Sequence, residues 1–123
     1  MRWSSVLSTQ TEPDVAAAVA VASIRDQLGE SAPDLVLIFA SGHSVEAWDV
    51  FLLIIRDAFP DATVLGCSGG GVIGGGREVE GEVSVSLTAA VLPDVAVMGF
   101  HYTAEDAATV DQAAHWWLSL IHI

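Results

Sequence analysis

Residues 65–80 read Leu65-Gly-Cys-Ser-Gly-Gly-Gly-Val-Ile-Gly-Gly-Gly-Arg-Glu-Val-Glu80, and the rest of the chain is organised around this stretch. It carries the only cysteine, Cys67, and seven of the eleven glycines. Six of these glycines form two triplets, Gly69–Gly71 and Gly74–Gly76, where the backbone either takes a positive φ or is approached closely by another group. Packing alone does not need so many glycines, which makes the stretch a candidate for the place where the fold meets a ligand.

The residues before this stretch predict a β-α-β-α-β order. Thr11-Glu-Pro-Asp14 has the form of a capping box with proline in the first turn, and the alanine-rich helix that it opens should stop at Gly29. Leu35–Ala40 is a continuous apolar run, which is typical of a strand buried on both faces of a parallel sheet. The other predicted elements are a strand at Arg2–Thr9, a helix from about Val45 to Phe59 capped by Ser44, and a strand at Thr63–Gly66.

The pattern changes after the glycine-rich stretch. Residues 83–88 alternate between aliphatic and hydroxyl side chains, which indicates a strand with one face in water. Residues 95–102 alternate too, so the two segments should form an antiparallel pair joined to the sheet, and residues 104–117 predict a final helix. The expected fold class is therefore α/β: a β-α-β-α-β core followed by an antiparallel strand pair, with a mixed sheet flanked by helices.

Charge and cysteine content restrict the partners and the compartment. Sixteen acidic residues against four arginines and no lysine give a formal charge of -12, so nucleic acid and anionic membrane surfaces would repel the chain. A lone cysteine cannot form an internal disulfide, and a free thiol fits the reducing cytoplasm. We find no signal peptide and no apolar run of the roughly 18 residues that a membrane span needs, so we expect a cytoplasmic protein without a membrane partner.

Two glycine motifs overlap in the stretch. Residues 69–74 satisfy the G-x-G-x-x-G spacing of dinucleotide sites, and residues 66–70 fit the G-x-S-x-G nucleophile elbow around Ser68. Both motifs need a helix directly after the loop, whereas the sequence that follows alternates like a strand. A Walker-type loop is excluded because the chain has no lysine. We therefore expect no nucleotide cofactor, and a hydrolase acting through Ser68 stays as an alternative.

Cys67 has two interpretations. A thiol at the carboxyl end of a strand, beside free backbone N–H groups, would have a lowered pKa and could act as a nucleophile. The commoner fate of a lone cysteine is to be buried as a small hydrophobe. The four histidines are scattered without the spacing of a zinc site, so we expect neither a metal nor another cofactor.

Polar residues gather where the predicted parallel strands end. In open parallel sheets ligands bind outside the carboxyl ends of the strands. We therefore name this edge as the candidate ligand site, with a polar loop that binds nothing as the alternative. Its tentative residues are Ser41, His43, Cys67, Ser68, Gly69, Gly70 and, as a nearby cation, Arg77.

The chain resembles the N-terminal part of FIST domains, which are sensory modules of signalling proteins. The resemblance rests on Met1–Ser8, on Pro33–Ala40, on Leu-Gly-Cys-Ser at 65–68 with the glycine-rich residues after it, and on Ser84–Ala90. It implies an intracellular domain that is proposed to bind a small ligand, such as an amino acid or a derivative, and for which no catalytic activity is established. No binding residues transfer, and Gly69–Gly71 departs from the single glycine and acidic residue that many relatives have here.

The last six residues of the chain are a separate feature of the sequence, for which a genuine hydrophobic helix end is the alternative interpretation. Leu118–Ile123 looks like the translation of a sequencing adapter, so residues 118–123 are expected to be a non-native tail. Residues 1–117 are then the N-terminal part of an incomplete FIST-like domain. Its expected partners are a small-molecule ligand, the missing C-terminal half of the same chain and a signalling protein. An enzyme using Cys67 or Ser68 and an assembly module are the two competing hypotheses.

Overall fold

A mixed four-stranded sheet carries two helices on one face and a β-hairpin on the other, in a computed structural model that describes residues 1–100. In chain order the elements are β1 (Arg2–Ser8), α1 (Pro13–Leu28), β2 (Leu35–Ser41), α2 (Ala47–Ala58), β3 (Thr63–Ser68), β4 (Gly71–Gly74), β5 (Arg77–Glu80) and β6 (Ser84–Val91). The predicted α/β class and β-α-β-α-β order are confirmed. The helix predicted at 104–117, the last residues of the strand predicted at 95–102 and the tail at 118–123 lie outside the described residues.

α1 has the predicted bounds, but its capping differs from the prediction. Pro13 begins the helix after the N-cap Glu12, and no side chain caps the first turn, so the capping box of Thr11 does not form. Gly29 ends the helix with a φ of 63° while its N–H donates to the carbonyl of Arg25 at 2.8 Å. Glycine suits this position because it takes a positive φ without steric cost.

α2 begins two residues later than the sequence predicted. A turn precedes it, in which the N–H of Ala47 donates to the carbonyl of Ser44 at 3.2 Å. Glu46 is the N-cap residue and no side chain caps the helix, so the predicted cap at Ser44 is wrong. The helix ends at Ala58, where the N–H of Phe59 still donates to the carbonyl of Ile55.

The last strand of the described chain lies inside the sheet. The strand order is β1-β6-β2-β3, with β6 antiparallel to both of its neighbours and β2 parallel to β3. β1 and β2 therefore occupy both edges of β6, and neither edge of β6 is left to pair with the strand predicted at 95–102. Residues 95–100 form no strand, so that predicted pairing is wrong. The antiparallel pair outside the main sheet is instead β4 and β5.

The glycine-rich stretch folds as this hairpin. Its strands pair from Gly71 with Glu80 to Gly74 with Arg77, and the two-residue turn is Gly75-Gly76. Both turn glycines have positive φ, 56° and 74°, which is what a type I′ hairpin turn requires. A strand therefore follows the first glycine triplet, as the sequence predicted, and the helix of a dinucleotide or elbow motif is absent from this part of the described chain.

The main core lies between the helices and one face of the sheet. Alternate residues of β2 and β6 point into it, including Ile38 and Leu87, and small alanines of α1 and the Phe51 ring of α2 pack on them. The opposite face of β6 carries Ser84 and Ser86, which are buried beneath the hairpin. The prediction that the serine face lies in water is wrong, because periodicity does not reveal that the hairpin folds back over it.

Candidate functional site

The carboxyl ends of β2 and β3 lie side by side at one edge of the sheet. Parallel pairing places Ala40 opposite Ser68 in the register of the two strands. The N–H of Gly69 donates to the carbonyl of Ala40 at 2.9 Å, which extends this pairing one residue past β3. The loops that leave these strands therefore start next to each other, as expected for a site at a strand-end edge.

The first of these loops is Ser41-Gly42-His43. Ser41 is buried and lies opposite Ser84 of β6 in the strand register. Gly42 has a φ of 71°, and a Cβ there would lie 3.1 Å from Val83, so the chain turns sharply at a position that suits glycine. His43 follows at the exit of the turn.

The His43 ring is half-buried against α2. It meets the Phe51 ring edge to face, with 5.0 Å between the ring centroids and 89° between the planes. Its Nε2 atom is buried and has no hydrogen-bond partner among the described residues. Burial lowers the pKa of His43 below its usual 6.5, so the imidazole is neutral at neutral pH. A neutral imidazole carries one donor and one acceptor nitrogen, and the buried Nε2 atom becomes accessible to a ligand only when the ring moves.

Cys67 and Ser68 are the last two residues of β3, Gly69 and Gly70 follow them, and all four residues are exposed. Because Cys67 is exposed, its interpretation as a buried small hydrophobe is wrong. β3 has only β2 beside it among the described strands, which explains the exposure at its end. The chain continues into β4 without a helix, and Ser68 therefore does not stand on a nucleophile elbow.

Arg77 lies on the hairpin and not on either of the two loops. It is exposed at the turn end of the hairpin, where it pairs with Gly74. Gly74 packs on Val6 of β1 and on Ser86 of β6, and Ser86 lies opposite Phe39 near the carboxyl end of β2. The structure thus places the ends of β2 and β3 side by side and Arg77 on the hairpin that packs on the neighbouring strands.

The buried hydroxyls beneath the hairpin were missed by the sequence analysis. Ser84 and Ser86 sit on the face of β6 that the alternation assigned to water. The only trace in the sequence is the second glycine triplet, since a glycine pair in a hairpin turn allows the chain to return over the sheet.

A concavity of about 240 Å³ lies at the opposite edge of the sheet, between residues 29–33 and 58–61.

Residues 1–100 hold neither a cluster of metal-binding side chains nor a helix that could span a membrane. No group of three or more His, Cys, Asp or Glu side chains in this range is arranged to hold a metal ion. Neither of the helices described is long and apolar enough to cross a bilayer.

Comparison with known families agrees with the resemblance to FIST domains that the sequence motifs indicate. The sequence profile of the FIST N domain matches residues 34–120, which is more than half of the chain. No curated protein matches the sequence. The matched residues include β2, β3, the glycine-rich hairpin and β6, which build the strand-end edge. The chain therefore belongs to the FIST N domain family, a family of sensory domains of signal-transduction proteins.

Proposed function

We propose that this domain binds a small molecule, an amino acid or a derivative of one, at the strand-end loops and reports it to a signalling partner. The observation that carries the proposal is the 2.9 Å hydrogen bond from the N–H of Gly69 to the carbonyl of Ala40, because it joins the ends of β2 and β3, beside His43 and Ser68. Hydroxyl groups, a neutral imidazole and glycine backbone without Cβ atoms offer donors and acceptors to a ligand with amino and carboxyl groups.

Phe51 gives the site a route to the rest of the domain. A ligand that displaces the His43 ring changes its edge contact with Phe51, which is fully buried in the core on α2. Aromatic pairs of this geometry have a directional preference, so a movement of one ring changes the packing of the other. We propose α2 as the element whose position reports binding.

The proposal includes the molecular context of the domain. We place it in the cytoplasm, as residues 1–117 of a larger FIST protein whose C-terminal half joins it, with residues 118–123 as a non-native tail. Phe39 and Leu65 support a protein partner, since they are 39% and 44% exposed on the sheet face opposite the helices. Exposed apolar side chains on a shared face are typical of interaction surfaces.

Ligand-dependent melting tests the sensory function. The protein is melted with a panel of amino acids and small carboxylates, and a ligand present at one hundred times its Kd adds about 2.7 kcal/mol of stability. We expect His43→Ala and Ser68→Ala to remove the shift. Ser23→Ala is the matched control, because Ser23 lies on α1, away from the strand-end loops, and its hydroxyl accepts a hydrogen bond from the Gln27 side chain. A panel that leaves the melting temperature unchanged would count against the sensor.

The competing hypothesis is a hydrolase or thiol enzyme. The exposed thiol of Cys67, with Ser68 beside it, is the observation that favours this hypothesis. Its test is turnover of ester and thiol-reactive substrates by the protein. Turnover that disappears in Cys67→Ala or Ser68→Ala would replace the sensory proposal, whereas turnover that survives both variants would come from a contaminant.

A further inference from the structure

Part of the contact between the β4–β5 hairpin and the sheet is polar, although Ser86 has apolar cross-strand neighbours in Leu7 and Phe39. The sheet beneath the hairpin presents the hydroxyls of Ser5, Thr88 and Ser86, on neighbouring strands β1 and β6. Ser5 and Thr88 bond each other at 3.0 Å between their side-chain oxygens. A hairpin that packs permanently on a sheet normally buries apolar side chains on both sides of the contact. Permanent apolar packing therefore does not explain why hydroxyl groups lie beneath the hairpin.

Ser86 lacks a hydrogen-bond partner. Its side chain is 1% exposed, and its Oγ atom bonds to no group in the described part of the chain. A buried hydroxyl without a partner costs free energy, and such groups are rare in folded proteins. The register places Ser86 on the hairpin side of the sheet, since its neighbour Leu87 points into the core under the helices. A polar partner for Ser86 is therefore missing in the closed arrangement.

The hairpin is held to the sheet by few interactions. Val72 is its only fully buried apolar side chain, while Ile73 is 69% exposed. One hydrogen bond from a hairpin N–H to a sheet side chain joins the two, from Gly75 to Ser5 Oγ at 3.2 Å. An isolated two-stranded hairpin is marginally stable in water, so this contact is among the first that opens.

Glycines at both ends of the hairpin allow it to move as a unit. Gly70 precedes β4 and Gly81 follows β5, and a Cβ on either residue would meet no atom within 4 Å. Gly81 has a φ of 69°, which side-chain-bearing residues rarely adopt. Gly74 is the closing contact, because a Cβ there would lie 2.6 Å from the carbonyl oxygen of Val6 and 2.9 Å from Ser86 Cβ. Because residue 74 has no side chain, the hairpin can pack directly on Ser86.

We propose that the β4–β5 hairpin is a flap that lifts from the sheet, and that the hydroxyl floor beneath it, formed by Ser5, Thr88 and Ser86, binds a small uncharged or amine-bearing polar ligand. The proposal rests on the sensory function proposed above and adds a second, separate contact region to the strand-end loops. A ligand that bonds Ser86 supplies the partner that this hydroxyl lacks when the flap is closed on the empty floor.

Charge determines the class of ligand. The hairpin and the residue pair after it carry one cation, Arg77, against three glutamates at positions 78, 80 and 82. The whole chain has a formal charge of -12, which repels phosphates and other multiply charged anions. Serine hydroxyls both donate and accept hydrogen bonds, so they suit hydroxyl and amine groups. Amino alcohols and polyols meet these conditions.

Native-state thiol labelling tests the flap. Ser86→Cys is made in a Cys67→Ser background, and the control is Val85→Cys in the same background, because Val85 is equally buried but faces the helices. We expect the thiol at position 86 to be labelled at least about 100-fold faster than the thiol at position 85 without denaturant, since opening the flap requires only local unfolding. Equal rates that both rise with denaturant would overturn the flap.

Hydrogen exchange repeats the test on the protein without substitutions. We expect the amides of the hairpin segment 71–80 to exchange faster than those of β6 and independently of dilute denaturant. Hairpin exchange that follows global unfolding, with the same denaturant dependence as β6, would also overturn the flap.

The ligand is tested with ethanolamine, serinol and erythritol as probes, and with sodium chloride at matched ionic strength as the reference. We expect at least one probe to slow hairpin exchange, and the effect to be lost in Ser86→Ala. Ser8→Ala is the control, because Ser8 is buried on the helix side of the sheet. Three probes without effect, or an effect that survives Ser86→Ala, would overturn this binding site. Neither result depends on the strand-end variants, so it can be told apart from a failure of the sensory function.

Discussion

His43 lies in a loop, but its ring is partly enclosed by the protein. Its ring packs edge to face on Phe51, and its Nε2 atom is enclosed without a partner among the described residues. Protonation would place a charged N–H in this enclosed position, which is why burial lowers the pKa of His43. Glu46, three residues along, keeps its carboxylate charged because backbone and Ser44 hydrogen bonds lower its pKa.

The first prediction concerns pH. Because the folded pKa of His43 lies below the unfolded value of 6.5, the unfolded chain binds more protons as pH falls through that range. The stabilisation is therefore fully present above pH 6.5 and is lost as pH falls towards the folded pKa. Urea titrations of the wild type and of His43→Phe at about pH 7, 6 and 5 cover the range around the reference pKa of histidine. We expect the free energy of unfolding of the wild type, minus that of the variant, to become smaller from the highest to the lowest of these pH values. A difference that does not change with pH would contradict this assignment.

The second prediction concerns Gly66 in β3. A Cβ at this position would overlap the carbonyl oxygen of Ile38 on the neighbouring strand. We expect Gly66→Ala to lower the free energy of unfolding by about 1–3 kcal/mol, because the two strands must separate. Gly70→Ala is the matched control, with no atom within 4 Å of the added Cβ, and should change stability by no more than about 0.5 kcal/mol. Equal effects of the two variants in chemical denaturation would show that β3 does not pair closely at Gly66.

Among the described elements, α2 combines a fully buried phenylalanine ring with a largely exposed leucine. Phe51 is fully buried and touches both His43 and Trp48, whereas Leu53 on the opposite side of the helix is 72% exposed. The helix thus joins the core and the candidate site on one face and presents an apolar group to solvent on the other. This arrangement fits an element that responds to the site and contacts a partner.

The third prediction separates these two faces of α2. We expect Phe51→Ala to cost about 3–5 kcal/mol of stability, since it leaves a cavity in the core and removes the support of His43. Leu53→Ala should change stability by about 0.5 kcal/mol or less. Thermal unfolding of the two variants measures the difference. A small loss for Phe51→Ala would mean that α2 is not packed on the sheet as described.

At the scale of the whole molecule, like charges repel one another over the surface. The formal charge of -12 is spread over 123 residues with only four arginines to balance it. Self-repulsion of this kind opposes the compact state, and dissolved salt screens it.

The fourth prediction follows from this repulsion. We expect the melting temperature to rise as sodium chloride increases from about 0.01 M, where the Debye length is about 30 Å, to about 0.15 M, where it is about 8 Å. Replacing the glutamates at 78, 80 and 82 with glutamine should reduce the slope of this dependence. Salt that lowers the melting temperature would show that attractive ion pairs outweigh the repulsion.

Particular residues explain which elements could be predicted. Pro13 and Gly29 mark the ends of α1 because their backbone restrictions act within a few residues. The apolar run of β2 identifies a central strand for the same local reason, and its end at Ser41 locates half of the candidate site. The pairing of β6 was not predictable, because alternation reveals that a strand has two faces and not which strands lie beside it.

By itself, the sequence determined the α/β class, the order of the first five elements, the family and the strand-end position of Ser41, His43 and Ser68. These depend on periodicity, backbone restrictions and motifs, which are local properties. Only the tertiary structure decided that β6 lies between β1 and β2, that the glycine-rich stretch is a hairpin, and that Ser86 is buried beneath it. Each of these results from contacts between residues far apart in the chain, and no local pattern encodes which distant surface a segment will cover.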